Sequence, residues 1–160
     1  VIRVGDFEHV VAVRREMADR VRALGMGLED RLDNPIGTLS GGQRQALTLL
    51  MATWRKPRLL LLDEHTAALD PKSAAQVADL TRALIRRDNL TALMVTHSMP
   101  QAVDLPDGIV MMHKGRVVRQ FTGEEKARVR VPDLLAAFDR VRRREQLDDA
   151  VAGVIQEQYR

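Results

Sequence analysis

The chain has 160 residues, of which 45% are hydrophobic, 29% are charged and 3% are aromatic. This length suits one domain with an apolar core, and 25 basic against 22 acidic residues give a net charge of +3 that implies no particular partner. The lack of cysteine excludes a disulfide-stapled module, a thiolate zinc site and a cysteine nucleophile, and the scarcity of aromatic residues argues against binding nucleic acid by base stacking.

The sequence indicates neither a membrane span nor a signal peptide. Uninterrupted apolar runs, such as residues 59–62, are far shorter than the roughly 20 residues that a spanning helix needs. The first residues contain no basic segment followed by an apolar one, and they lack an initiator methionine. We therefore expect the chain to begin inside a larger protein.

The first third of the chain predicts two helices. Apolar residues recur three or four positions apart from Val10 to Leu24, with charged residues between them, which is typical of an amphipathic helix. A connector with one further turn around residues 28–32 follows two glycines. Ser40 is suited to cap a second helix over 41–54, because its hydroxyl can accept a hydrogen bond from an unpaired first-turn amide.

The middle of the chain predicts an α/β unit. The apolar run 59–62, which ends in Asp63 and Glu64, predicts a strand buried on both faces of a parallel sheet. A second buried strand is expected over 91–95, and strand, helix and strand of this length form a right-handed crossover. The helix between them is predicted over 71–86, with an inner face made up of Val77, Leu80, Ala83 and Leu84.

The last third predicts a short helix over 100–103 and a β-hairpin with strands over 109–112 and 117–121. Apolar spacing after Pro132 predicts a helix, and a separate, weaker helix is expected over 147–159. Between them lies a basic cluster made up of Arg140, Arg142, Arg143 and Arg144. Acidic residues interrupt this cluster, which is more typical of a solvated helix face than of a nucleic-acid interface, so no nucleic-acid partner is expected.

The segment Ser40-Gly41-Gly42-Gln43 lies where a loop becomes a helix. Glycines allow a ligand to approach the backbone, while unpaired amides and the positive end of the helix dipole favour an anion such as phosphate. A plainer interpretation stays open on these residues alone, namely a serine-capped helix with glycines in the turn.

Acidic and imidazole side chains follow the two predicted strands. Asp63 could hold Mg²⁺, and Glu64 could orient or deprotonate a water, which are the Walker B roles in nucleotide hydrolysis. The alternative is two solvated acids at the end of a core strand. His97 follows the next strand, and loops at the carboxyl ends of parallel strands converge on the ligand crevice, so it is a candidate for the same site.

The glycine segment before the second helix, the acidic pair and His97 follow one another along the chain as they do in the nucleotide-binding subunit of ABC transporters. The chain resembles that family most strongly over residues 28–121. The resemblance implies an incomplete P-loop NTPase-like ABC ATPase domain of the α/β class. It implies a helical subdomain with the signature over 1–54 and a core over 55–121. This core would contain the Walker B strand, the D-loop at residues 68–70 and the H-loop at His97. A carboxyl-terminal helical extension would occupy 122–160.

The resemblance also assigns roles to individual residues. Asp63 would ligate Mg²⁺, and Glu64 would polarise the hydrolytic water. His97 would hydrogen-bond the γ-phosphate, and Asp70 would lie at the interface of a dimer. The γ-phosphate of an ATP bound mainly to the second subunit would contact the signature residues Ser40, Gly41, Gly42 and Gln43.

The partners that the resemblance implies are a second ATPase subunit in a head-to-tail homodimer, transmembrane permease subunits and a solute-binding protein. It places such a subunit at the cytoplasmic face of the inner membrane, as a peripheral protein. The motif sequences are most similar to those of a bacterial importer group for amino acids, including aromatic ones, or related small solutes.

The sequence departs from the family pattern in several places. No Gly-x-x-x-x-Gly-Lys-Ser/Thr pattern occurs among its ten glycines, so there is no Walker A loop, and the adenine-contacting aromatic residue and the glutamine loop are missing. We expect the chain alone to bind ATP weakly and to hydrolyse none. His65 and Ala67 stand where the family commonly has proline and serine, and no catalytic role is expected for His65.

A regulatory or pseudo-ATPase module that lends its signature loop to a complete partner is the alternative function. The presence of Asp63, Glu64 and His97 argues against it, because a module without hydrolysis has no need of them.

Overall fold

A computed structural model describes residues 4–158, with side chains from Val10 to Arg144 and that of Gln146. The chain divides into two compact units, one that ends at Val95 and one that begins at Thr96. The boundaries predicted at 54/55 and 121/122 concern the family's subdivisions and stay predictions.

The first unit alternates helices with the strands of a parallel pair. Its elements in chain order are α1 (Val4–Arg22), α2 (Gly41–Thr53), β1 (Leu60–Asp63), α3 (Pro71–Asp88) and β2 (Ala92–Val95). Two single 3-10 turns, Glu29–Arg31 and Ile36–Thr38, lie in the connector before α2. All predicted helices and strands of this unit are therefore confirmed, with α1 beginning six residues earlier than the predicted position 10.

The α1 helix buries only the end of its predicted apolar stripe. Val21 and Leu24 are buried against α2, whereas Val10, Val13 and Met17 are exposed. The Arg20 guanidinium lies 4.2 Å from the centroid of the Trp54 ring and donates to the Trp54 carbonyl at 3.2 Å, which fastens α1 to the end of α2.

The parallel sheet in the described part of the first unit has two strands, paired from Leu60 with Ala92 to Asp63 with Val95. One face packs on α2 and α3 through a cluster made up of Leu49, Leu60, Leu62, Val77 and Leu84. The other face is open, since Leu61 is 66% exposed and Leu93 58%.

The prediction of strands buried on both faces was therefore wrong for this chain. A continuous apolar run predicts helices on both sides of a sheet. Among the described residues of the first unit, helices cover only one side.

The second unit combines a β-hairpin with helices. Its elements are α4 (Met99–Asp104), β3 (Ile109–His113), β4 (Arg116–Phe121), α5 (Gly123–Arg128) and α6 (Val131–Gln158). The hairpin is antiparallel as predicted, with Ile109 opposite Phe121. Its core joins the hairpin to α6 through Ile109, Met111, Phe121, Val129, Leu134 and Ala137.

Two predictions for the second unit differ from the structure. The α5 helix was not predicted, and α6 is one continuous helix rather than two. The basic cluster does not interrupt α6, because arginine favours helix and ion pairs such as Arg142 with Asp139 at 2.7 Å link successive turns. Tyr159, the end of the predicted second helix, lies outside the described residues.

In the portion of the chain that the structure describes, no helix combines the length and apolar character needed to cross a membrane.

Candidate functional site

The turn before α2 is held by a reciprocal pair of hydrogen bonds. The Gln43 amide donates to Ser40 Oγ at 3.2 Å, and the Ser40 amide donates to Gln43 Oε1 at 3.0 Å. Gln43 Nε2 also donates to the Met26 carbonyl at 3.1 Å. Both ends of the Gln43 side chain therefore brace the turn, as in a capping box.

The amides of Gly41 and Gly42 are left to bind an external acceptor. The first-turn amides of a helix have no acceptor inside the helix, and Ser40 Oγ accepts only the amide of Gln43. The Ser40 hydroxyl also keeps a proton that it can donate. The turn thus presents a hydroxyl and two amides at the positive end of α2, an arrangement that suits a phosphate group.

The two glycines allow the segment that begins α3 to approach closely. A Cβ on Gly41 would lie 3.0 Å from Leu69 Cδ2, and a Cβ on Gly42 would lie 3.0 Å from Ser73 Cβ. Contacts this short are rarely seen for real Cβ atoms. The predicted signature and the predicted D-loop are therefore brought together in the structure.

Asp70 is the N-cap of α3. Its Oδ1 accepts hydrogen bonds from the amides of Lys72 at 3.1 Å and Ser73 at 3.0 Å, and Pro71 occupies the first helical position. Hydrogen bonds from Ser73, and a weaker one from Lys72, hold the pKa of the Asp70 carboxyl below its ordinary value. The side chain is exposed, so its second oxygen can contact another molecule.

The acidic pair lies at the carboxyl end of β1, as predicted. Asp63 is the last residue of the strand, and the Glu64 amide donates to the Val95 carbonyl at 2.9 Å. Glu64 has a φ of 41°, in the left-handed region that non-glycine residues rarely adopt. Both acids are exposed and line an open cavity of about 330 Å³ between β1 and α2, with Gln45, Thr48 and His65 among its other walls.

The donor set at the end of β1 suits Mg²⁺ only in company with a nucleotide. Among the side chains that the structure describes, no group of three or more His, Cys, Asp or Glu could hold a metal ion. Mg²⁺ commonly takes one or two carboxylates and completes its shell with water and substrate phosphate oxygens. Asp63 could supply one such carboxylate.

His65 is buried, although it forms part of the cavity wall. Its Nε2 lies 3.0 Å from Thr81 Oγ1, on the inner face of α3. Burial lowers the pKa of the His65 imidazole below its ordinary value, which favours the neutral ring. Sequence reasoning missed this pair, since it placed Ala83 on the inner face of α3, whereas Ala83 is exposed and Thr81 is buried.

His97 is exposed and lies in the second unit, two residues before α4. A small turn surrounds it, because the Ser98 amide donates to Thr96 Oγ1 at 3.0 Å. The Thr96 hydroxyl donates in turn to Gln101 Oε1 at 3.4 Å. The role predicted for His97 at a γ-phosphate stays a prediction.

Comparison with known proteins finds similarity to ABC transporter ATP-binding proteins. The sequence pattern described as "ABC transporter" matches residues 5–67, a stretch that contains α1 except for its first residue, α2, β1 and the acidic pair. A solved ATP-binding cassette, in a dimeric post-hydrolysis state bound to ADP and Pi, matches with a TM-score of 0.53 and 28% identity. The match covers 65% of this chain and 44% of that chain, and it confirms the predicted α/β fold of a partial ABC ATPase domain.

Curated relatives have names that refer to transport. The tyrosine transport ATP-binding protein of Clostridioides difficile is 43% identical over 119 residues, which are 74% of this chain and 47% of that protein. An aliphatic sulfonates import ATP-binding protein of Agrobacterium fabrum is 40% identical over 66% of this chain and 40% of its own length. A methionine import ATP-binding protein of Bacillus cereus is 35% identical over 67% and 32%. The chain spans less than half the length of each.

Proposed function

We propose that this chain, which belongs to the ABC transporter family and has the fold of its ATP-binding domain, supplies the signature turn and the hydrolytic acids of an ATP-driven importer. The observation that carries the proposal is the turn before α2. It offers the Ser40 hydroxyl and the amides of Gly41 and Gly42 to an anion, and Gln43 holds these groups in place. A γ-phosphate is the anion of matching chemistry in a cassette of this family.

The signature turn would act on a nucleotide held mainly by a second subunit. The two subunits would therefore form a head-to-tail dimer, most simply of two identical chains. The dimeric state of the solved relative bound to ADP and Pi supports this arrangement. Asp70 would lie at that interface, because it caps α3 beside the signature glycines. The predicted contact of Gln43 with the phosphate would be secondary to its bracing role.

The acids after β1 would supply the hydrolytic chemistry. Asp63 would hold Mg²⁺ that arrives with ATP, and Glu64 would accept a proton from the attacking water, a contribution of about 10²- to 10⁴-fold in rate. His97 would donate a hydrogen bond to the γ-phosphate. Asp63 and Glu64 lie at the carboxyl end of β1, where parallel sheets bind ligands.

Import of a small solute is the transport role we propose. It is supported by the names of the relatives, which refer to tyrosine, aliphatic sulfonates and methionine. The partners would then be transmembrane permease subunits and a solute-binding protein, and the subunit would lie peripherally at the cytoplasmic face of the inner membrane.

The 160 residues by themselves should be inactive, because they contain no phosphate-binding loop of the Gly-x-x-x-x-Gly-Lys-Ser/Thr type. The first test is an ATPase assay of this chain, for which we expect no turnover. Turnover that Glu64→Gln abolishes would contradict this expectation.

The second test restores a complete cassette. The amino-terminal part of the Clostridioides difficile relative, up to the matched segment, is joined ahead of residue 1, and we name this protein the joined cassette. Its ATP turnover should fall at least about 100-fold in Glu64→Gln. Glu124→Gln, the same change at an exposed acid that pairs with Arg128, is the matched control and should leave turnover unchanged. Equal rates for both variants would exclude the role proposed for Glu64.

A second candidate is a non-hydrolysing module that lends its signature turn to a complete partner. The lack of a phosphate-binding loop in these residues favours it. It predicts that the chain stimulates the ATPase of a complete subunit, and that Ser40→Arg removes the stimulation while Glu64→Gln does not.

A further inference from the structure

The hydrogen bond between His65 and Thr81 has a defined direction. The Thr81 hydroxyl donates to the Val77 carbonyl one helical turn earlier, at 2.7 Å. Its single proton is therefore engaged, and Thr81 Oγ1 can only accept from His65 Nε2, 3.0 Å away. The neutral imidazole must then carry its proton on Nε2. Both side chains are buried, with Thr81 1% exposed.

This hydrogen bond connects the turn after β1 to α3. His65 directly follows Glu64, whose backbone has the positive φ of 41°. The Glu64 amide donates to Val95, and its carbonyl accepts from the Ala67 amide at 2.9 Å. A residue other than glycine keeps the left-handed conformation only where its surroundings hold it there. The His65 side chain is the next anchor along the chain.

We propose that His65 is a positioning residue for Glu64. Through Thr81 it ties the turn to the rigid α3 helix, keeps Glu64 in its left-handed conformation and so fixes the direction of the carboxylate that activates water. The importance of this direction rests on the proposed function, whereas the anchoring of the turn does not. Misplacement of a reacting group by about 1 Å can reduce a rate roughly 100-fold, so a loosened turn should be visible in turnover.

The chain offers a matched pair of threonines for the test. Thr53 is buried at 3% exposure, and its hydroxyl donates to the Leu49 carbonyl one turn earlier, at 2.8 Å, as that of Thr81 does to Val77. Among the described residues, Thr53 Oγ1 accepts no hydrogen bond from a side chain. Thr53→Val therefore removes a buried helical hydroxyl without removing an anchor, whereas Thr81→Val removes both.

The first experiment is nuclear magnetic resonance on the 160-residue chain. The nitrogen shifts of the His65 ring should show the proton on Nε2, and the α-carbon shift and amide coupling of Glu64 should report a positive φ. Thr81→Val should change both signals, and Thr53→Val should change neither. A proton on Nδ1 in the unsubstituted chain would overturn the proposal even if Thr81→Val failed to fold. An unaltered Glu64 in folded Thr81→Val would also overturn it.

The second experiment measures turnover in the joined cassette. Thr81→Ser keeps the hydroxyl and loses a methyl group, whereas Thr81→Val keeps the shape and loses the hydroxyl. If the hydrogen bond positions Glu64, Thr81→Val should lower kcat about 10- to 100-fold at an unchanged KM for ATP, and Thr81→Ser should keep kcat within about two-fold. The reverse order would show that Thr81 only fills space.

The two proposals fail in different ways. Full turnover of Thr81→Val, together with loss of turnover in Glu64→Gln, would overturn the positioning role alone. Full turnover of Glu64→Gln would overturn the proposed function, while the ring shifts of His65 would still decide whether the anchor exists.

Discussion

Replacement of Leu60 by alanine should destabilise the first unit far more than replacement of its neighbour Leu61. Leu60 is 4% exposed and packs between α2 and α3, whereas Leu61 points to the open face and is 66% exposed. Leu60→Ala removes three buried carbon atoms and leaves a cavity, which costs about 2 to 5 kcal/mol. Leu61→Ala loses about a third of the transfer free energy and leaves no cavity, so its cost should be below about 1 kcal/mol.

Urea unfolding, followed by far-ultraviolet circular dichroism, measures this difference. The midpoint should fall strongly for Leu60→Ala and little for Leu61→Ala, with the same dependence of the unfolding free energy on urea. Dilute protein should be used, because the exposed apolar face of the sheet favours association. Equal losses of stability in the two variants would refute the conclusion that only one face of β1 is covered.

Three smaller predictions concern helix ends. Ser40→Ala should lower the unfolding free energy by about 1 kcal/mol, measured by urea unfolding, because the Gln43 amide loses its cap. Asn89 ends α3 with a φ of 49°, so Asn89→Ala should lower the melting temperature and Asn89→Gly should leave it unchanged or raise it. The pKa of Asp70 is lowered in the folded chain, so the stability it contributes is complete above its unfolded pKa, near 3.8, and is lost as the pH falls through the lower folded value. Asp70→Asn keeps a capping oxygen and should flatten the acid limb of the stability curve, whereas an unchanged limb would contradict the assignment.

The signals that the sequence carried most reliably were local ones. The cap at Ser40 needs only a serine, a glutamine three residues later and the helix between them, and the structure has this arrangement. The carboxyl end of β1 was likewise marked by an apolar run that stops at two acids. The sequence also singled out the glycines of the signature turn, but their close contact with Leu69 and Ser73 could not be derived from spacing.

The predictions that differed from the structure depend on which tertiary neighbours a helix or strand packs against. An apolar run does not tell whether one or two faces of a strand are covered, and the α1 stripe does not tell how far the neighbouring helix extends. The pairing of His65 with Thr81 joins residues sixteen positions apart and depends on the rotation of α3 about its axis. At 100° per residue, Ala83 and Thr81 lie at opposite edges of the inner face of α3. A rotation of the helix about its axis therefore brings one of them into the core and moves the other out.

At Glu64 the backbone conformation favours glycine, whereas the proposed function requires a carboxylate. Glycine would adopt a φ of 41° without steric cost, whereas any other residue is disfavoured there by about 1 kcal/mol. The Glu64 side chain is exposed, so it contributes no apolar burial that would offset this strain. A selection for thermal stability alone would therefore tend to replace Glu64 by glycine and remove the carboxylate that we propose as the general base. Libraries of variants of this chain should accordingly be screened by turnover in the joined cassette, because selection by heat would enrich variants that lack this carboxylate.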